Sequence, residues 1–445
     1  MSERRTTQIM AASTLYGAVT LAAAIDSGCF GTAARRILLV TNNAPVPETT
    51  PAFDRAEGFD RIRDRFDQVV SWNETISPLH PGGWTPRGQD VPMLQRHLHK
   101  LWGLGDDRIE LVLESIQVTP ALAIATLLPE AAITVYADGL MSYGPTRNKI
   151  DPLIGGRAAR LLHLDLVPGL RPLLLGEFGA EPETVPVDAF TKAVAELAGT
   201  DAPAAGAEGP ALLLGQYLAA LNLMTAAEEE ELHLDMVRGA VARGHRRLVF
   251  KPHPTAPDSW TDSLAEEAAR LGAELTVETR PVLAEVLYRE LRPALVVGCF
   301  STALMTARTF YGLPVARVGT RELLQRLTPF QNSNRIPLTV VDAVVPPLTP
   351  GPEDEEPVTD AARLDDLVAA VGFAMQPKIR PDLWEAAVRH LSGPYAERTR
   401  HHFTRRRLTV LNLPGGLPVP RHPKVRHLAR RALRLRRTLL KKQKK

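Results

Sequence analysis

The chain predicts an α/β fold built from two parallel sheets, each with helices on both faces, set opposite one another across a cleft. Three observations lead there. Short runs rich in Val, Leu and Ile alternate with helix-length stretches in both halves, which is the pattern of a parallel sheet. A small, unpatterned segment of Gly, Ala, Thr, Asp, Pro and Glu at 199–209 separates the halves and reads as a linker. Several apolar runs lead directly into glycine or polar residues, at the strand edge where open α/β sheets bind ligands. The expected organisation is a first domain over 1–198, the linker at 199–209, a second domain over 210–420 and a tail over 421–445.

Composition sets the outer bounds. With 445 residues, 44% hydrophobic and 23% charged, the chain is long enough for two cores and is not of a disordered type. The net charge of +3 conceals an asymmetry. Eleven of the 53 basic residues fall within Lys424–Lys445, which contains no acid, so the rest carries 42 bases against 50 acids. A mildly acidic body disfavours a nucleic-acid-binding core. The two cysteines, Cys29 and Cys299, suggest a reducing, cytoplasmic setting and neither a disulfide framework nor a zinc cluster. The segment from Ile9 to Ile25 is broken by Ser13, Thr14, Tyr16, Gly17 and Thr20. It reads as strand, loop and helix rather than as a signal peptide. No run of 18 apolar residues occurs, so no membrane-spanning helix is expected.

In the first half, Thr6–Ala11 predicts the opening strand, with Ser13 as the cap of the next helix and Gly28 as its stop. Ile37–Val40, Val69–Trp72 and Ile109–Leu113 predict further strands, with helices near Phe59–Asp67 and Met93–Trp102. Ile133–Tyr136 is the next strand and runs into Ala137, Asp138 and Gly139. A carboxylate at Asp138 can take a proton from a hydroxyl; an Asx turn or a helix cap explains a single Asp-Gly equally. Leu161–Leu166 predicts one more strand.

The second half opens with the strand Ala211–Leu214, which ends at Gly215. Glu228–Arg243 has acids early and bases late, as a helix dipole prefers. Leu248–Phe250 is a buried strand stopped by Pro252 and Pro254, neither of which can donate a ladder bond. Lys251 and His253 therefore stand at a strand end on a stiff turn. That pair suits a phosphate, and His253 titrates near neutrality, so it can protonate a departing one; a rigid turn with an exposed histidine is the plainer alternative. Asp258–Leu271 predicts a helix, Leu275–Glu278 a strand and Val282–Arg289 a helix. Ala294–Val297 is a strand, and Ser301 and Thr302 open the helix after it. Such a helix start is both an ordinary cap and a phosphate site. Pro314–Val318 is the last core strand, Asp354–Glu356 an acidic loop, and Ala361–Phe373 and Pro381–Leu391 are closing helices with Trp384 in a packing role.

Two α/β domains with polar strand ends suggest a GT-B glycosyltransferase. Three local motifs sharpen this: Ala137-Asp138-Gly139, His253-Pro254 preceded by Lys251, and Ser301-Thr302. Their order and spread resemble the bacterial polysialyltransferases and their sialyltransferase relatives. Ser13–Gly17 and Leu38–Asn43 are similar to the actinobacterial branch, and the resemblance covers roughly Thr6 to Leu391. It implies inverting transfer of sialic acid, or a related nonulosonic acid, from a CMP-activated donor to a glycan hydroxyl, without a metal or other cofactor. By this resemblance Asp138 is the general base and His253 the general acid. Lys251, Pro254, Ser301, Thr302 and Gly215 belong to the nucleotide-binding set, and Glu285 holds the ribose. The family's first acidic position is Ala137 here, a departure that bears on activity and acceptor choice.

Two other readings stay open: a GT-B enzyme using a UDP- or GDP-sugar, and a non-catalytic nucleotide-sugar-binding assembly factor. Over Arg421–Lys445, Leu428, Ala432, Leu435, Leu439 and Leu440 recur at helical spacing among bases. This suits docking at an anionic membrane surface; a solvated tail is the alternative. The absence of aromatic residues there argues against nucleic acid.

Overall fold

Thr6–Ala12 (β1) lies in the middle of the first sheet. Arg35–Val40 (β2), Gln68–Ser71 (β3), Arg108–Leu113 (β4), Ala132–Ala137 (β5), Ala158–Leu164 (β6) and Glu181–Val185 (β7) complete it. The order is β3-β2-β1-β4-β5-β6-β7, and every pairing is parallel. The computed structural model describes residues 4–137, 139–199, 209–216, 218–253, 259–351 and 356–417. Asp138, Pro254, the linker at 200–208 and the tail at 421–445 lie outside them.

Burial explains why these segments are strands. Ile9 and Ala11 pack into one apolar cluster, and Met10 and Ala12 into another. Ile37 and Leu39 against Leu38 and Val40 repeat the division. Successive side chains point to opposite faces, and both faces are covered, so the strands read as continuous apolar runs.

The second sheet comprises Ala211–Leu214 (β8), Arg247–Lys251 (β9), Glu274–Val277 (β10), Leu295–Gly298 (β11) and Val315–Arg317 (β12). Its order is β10-β9-β8-β11-β12, again all parallel. Each sheet starts at a central strand and winds outward twice. The direction reverses between β1 and β4 in one and between β8 and β11 in the other, and ligands gather at such reversals. This is the two-lobed GT-B architecture.

The lobes are packed together. Phe190, on the helix Val187–Ala198, meets Phe310 of the second lobe edge to face at 5.6 Å. Thr309 Oγ1 donates to the Leu166 carbonyl at 2.9 Å, and Arg147 donates to Ser333 Oγ at 3.1 Å. The helix Ala361–Met375 also ties back to the first lobe, since Gln376 at its end donates to the Arg147 carbonyl at 2.8 Å. Arg380 donates to the Leu173 carbonyl at 2.7 Å.

Several local expectations are corrected. Thr14, not Ser13, caps the helix Leu15–Asp26, accepting from Gly17 N at 3.0 Å. The third strand stops at Ser71, because the Ser71 hydroxyl accepts from Glu74 N and starts the short helix Trp72–Ile76. The sixth strand ends at Leu164 rather than Leu166. Strand β7 was not expected: its sequence EPETV is polar and holds a proline, as suits an edge strand. The helices Thr320–Arg326 and Arg335–Val344 were also unexpected. Trp384 is 49% exposed rather than packed in a core.

Candidate active site

The candidate site lies where the carboxyl ends of the second sheet's central strands meet the first lobe. β9 ends at Lys251, and Pro252 and His253 follow it. β8 lies between β9 and β11. The two chain segments therefore leave the sheet two strand spacings apart, about 10 Å.

Gly215 follows β8 directly and donates from its backbone to the Lys251 carbonyl at 2.9 Å. A Cβ at this position would stand 2.8 Å from the Phe250 ring and 3.2 Å from that carbonyl. Only glycine lets β8 pass so close to the end of β9. Beside it, Gln216 Oε1 accepts from Phe300 N at 2.8 Å and so clamps the turn after β11.

Ser301 is the N-cap of the helix Thr302–Phe310, and its hydroxyl accepts from Ala303 N at 3.3 Å. The cap reading of Ser301 is thus realised. Thr302 turns the other way: its hydroxyl accepts from Leu140 N at 3.4 Å, in the first lobe. A Cβ on Gly139 would lie 3.0 Å from that same hydroxyl. The Ser-Thr motif therefore meets Gly139 and Leu140, shortly after β5. Ala137 is the last residue of β5 and pairs in register with His163 of β6.

The charges are coupled. Burial lowers the Lys251 pKa, and Arg280 acts the same way, while the carboxylates of Glu278 and Glu285 oppose them. His253 is exposed. Partial desolvation by the surrounding protein nevertheless lowers its imidazole pKa, and the Lys251 ammonium adds to the effect. Glu285 lies on the helix Ala284–Leu291 and is only 2% exposed. Burial raises its pKa, opposed by a 2.6 Å bond donated by Thr306 and by the Lys251 charge. Thr306 belongs to the helix that Ser301 caps. Glu285 is thus buried against the Ser-Thr helix, within electrostatic reach of Lys251, rather than standing open to a ligand.

Some residues here carry no sequence signal. Ser13 donates to Glu114 Oε2 at 2.6 Å across the β1–β4 reversal. Glu114 sits just past the end of β4, next to β5, and Gln216, just past β8, makes the matching link across the β8–β11 reversal in the second lobe. A lone Glu or Gln after an apolar run matches no motif; only the strand order makes these positions special.

Among the described residues, one trio has metal-ligand spacing: Asp342, His401 and His402. It is carried by the helix Arg335–Val344 and the turn Arg400–His402, beside Arg317 at the carboxyl end of β12. Asp342 already accepts from His401 at 2.7 Å and from Thr320 at 2.8 Å, and pairs with Arg317 at 3.2 Å. Burial alone would raise its carboxyl pKa, yet His401, His402 and Arg317 hold it well below the usual range. The trio reads as a buried ion-pair network.

Residues 8–320 match the family model described as alpha-2,8-polysialyltransferase (POLYST). The chain belongs to this family. It is accordingly a glycosyltransferase, and the matched residues span strands of both sheets. The helices after residue 320 lie beyond it. No curated protein sequence matches the chain significantly. Similar solved structures include a sialyltransferase GT-B domain from Photobacterium damselae, with 12% identity over 75% of this chain and 95% of that one and a TM-score of 0.40. A UDP-glucosyltransferase from Polygonum tinctorium has 13% identity over 89% and 97%, at 0.39. An O-GlcNAc transferase mutant from Thermobaculum terrenum has 13% over 90% of this chain, at 0.37, and this chain spans 66% of its length. Likenesses this slight carry no weight; the GT-B architecture rests on the strand orders and the family.

Proposed function

We propose that the protein transfers sialic acid, or a related nonulosonic acid, from its CMP-activated form to a glycan hydroxyl, inverting the anomeric centre. One observation supports this above the others. The Ser301-Thr302 helix start meets Leu140, two residues after Asp138 in the chain, through the Thr302 hydroxyl, and lies at the same sheet edge as Lys251 and His253. An acceptor-side base and a donor-side phosphate site then come within one reaction centre.

In this reading the CMP phosphate rests over Gly215, between the β9 and β11 ends. Lys251, Ser301 and the positive end of the following helix's dipole balance its charge. His253 donates a proton to the leaving phosphate, and Asp138 takes the proton from the attacking hydroxyl. Those groups suffice to stabilise the departing charge, so no step needs a metal. Glu285 acts from its buried place against the Ser-Thr helix. The basic tail at 421–445 docks the enzyme at an anionic membrane surface; none of the described helices is long and apolar enough to cross a membrane.

The test is CMP release and product formation with His253→Ala and Asp138→Ala, alongside circular dichroism. Loss of transfer with retained fold is expected; full activity in either variant defeats the assignment. Thermal stabilisation by UDP or GDP instead of CMP would replace the donor.

A further inference from the structure

The strand reversal of the first lobe carries a carboxylate that the three motifs do not use. Glu114 follows β4 directly and is half-buried. Its Oε2 accepts from the Ser13 hydroxyl at 2.6 Å. Its Oε1 lies beside the first turn of the helix Leu15–Asp26. A Cβ on Gly17 would stand 3.1 Å from that oxygen, 3.0 Å from the Tyr136 hydroxyl and 3.2 Å from the Thr14 hydroxyl. Gly17 is buried, and its missing side chain leaves the room that the carboxylate takes.

An anion is well placed here. A hydrogen bond donated to a carboxylate favours its charged form, and Ser13 donates one. The helix has 12 residues, and its positive end favours negative charge in the first turn. The Tyr136 hydroxyl, on the far side of Gly17, donates to the Ala11 carbonyl at 3.0 Å.

The same residue stands next to the acceptor side. β4 adjoins β5, with Leu113 opposite Val135. Glu114 therefore comes level with Tyr136, whose next neighbours in the chain are Ala137 and Asp138. Like charges at one site hold protons more tightly, and the carboxylate with fewer donors takes its proton at higher pH. Environments that push two carboxylates apart in this way divide the roles of fixed anion and proton acceptor between them. The other ionisable groups of this edge are differently occupied. His163 on β6 is buried, which lowers its pKa, and the charge of Asp165 acts on His163 and on the buried Tyr143. Lys251 and His253 stand at the edge of the second sheet.

We propose that Glu114 is a positioning residue for the transfer: held as an anion by Ser13 and the helix start, it raises the proton affinity of Asp138, so that Asp138 takes the acceptor's proton near neutral pH. Glu114 itself exchanges no proton. Ala137 leaves β5 without an acid before Asp138, so the neighbouring charge comes from β4. The inference rests on Asp138 as the base, and the two fail separately, because a carboxyl titration needs neither donor nor acceptor.

The experiment is carbon-13 NMR titration of the full chain labelled at its aspartate carboxyls, with Asp138→Asn assigning the Asp138 signal. Beside it runs the pH profile of CMP release from CMP-sialic acid with an oligosialic acid acceptor. Glu114→Gln keeps an oxygen for Ser13 and removes the charge. It should lower the Asp138 midpoint by about one pH unit. The rising low-pH limb of kcat/KM should move down with it, and the plateau should drop several-fold because a weaker base is left. Glu114→Asp keeps the charge and should recover most of the shift. An Asp138 midpoint that stays in place, a limb that does not follow it, or an equal shift in Glu114→Asp overturns the proposal. With Asp138→Asn inactive, those results leave the base assignment standing; full transfer by Asp138→Asn overturns both.

Discussion

Thr306→Val tests how the second lobe holds its phosphate edge. Thr306 is fully buried, and its hydroxyl donates at 2.6 Å to a Glu285 carboxylate that is only 2% exposed. Valine keeps the shape of the side chain but removes the donor, so a buried carboxylate loses its main neutral partner. A bond to a charged group is worth about 1.5–3 kcal/mol. For a lobe of this size, at about 2–4 °C per kcal/mol, that lowers Tm by roughly 3–12 °C. The pH dependence carries a definite sign. The folded Glu285 carboxyl has a raised pKa because of burial, so the folded state binds protons more tightly than the unfolded chain there. Stability from this group is therefore greatest at low pH and falls as pH rises from the ordinary carboxyl value through the folded one. Without Thr306 the ionised form is worse off still, so the deficit should be larger at pH 8 than at pH 5. Thermal denaturation of both proteins across that range measures it. Equal melting at every pH, or a deficit that grows on acidification, refutes the reasoning. Glu285→Gln completes the comparison. If Glu285 acts only by packing against the Ser-Thr helix, the variant changes stability with little effect on donor KM; a large rise in donor KM would restore a ribose contact.

Three further outcomes are expected. Lys251→Met removes a charge that lowers the His253 pKa, so the falling high-pH limb of kcat/KM should move to higher pH while kcat drops; a limb that stays or moves down argues against His253 as the acid. Gly215→Ala places a Cβ 2.8 Å from the fully buried Phe250 ring and should cost about 1–3 kcal/mol, with weaker CMP binding by calorimetry. Arg380→Ala leaves the Leu173 carbonyl without its 2.7 Å donor and Asp382 without its 2.6 Å partner; a loss of about 2 kcal/mol in urea unfolding is expected, because this contact ties the closing segment to the first lobe.

Legibility in the sequence followed the physics of each element. Strands β1, β2, β4, β5, β8, β9 and β11 are central and covered on both faces, so their apolar runs announce them. β7 is an edge strand with polar residues and a proline, and nothing in a local window marks it. The helix Arg335–Val344 follows a loop without an apolar lead and contains Pro337, which hides its start. The strand ends at Ala137, Lys251 and Gly298 were legible because each closes an apolar run.

What the sequence by itself determined is the class of fold, the family pattern and the residues at the strand ends, since these depend on local periodicity and on proline and glycine chemistry. Only the tertiary structure decided which strand ends adjoin. It set β8 between β9 and β11, turned Thr302 toward Leu140 of the other lobe, and buried Glu285 against Thr306. It also brought Ser13 to Glu114 across the β1–β4 reversal. Strand order and lobe packing arise from contacts between residues far apart in the chain, and no local pattern records them.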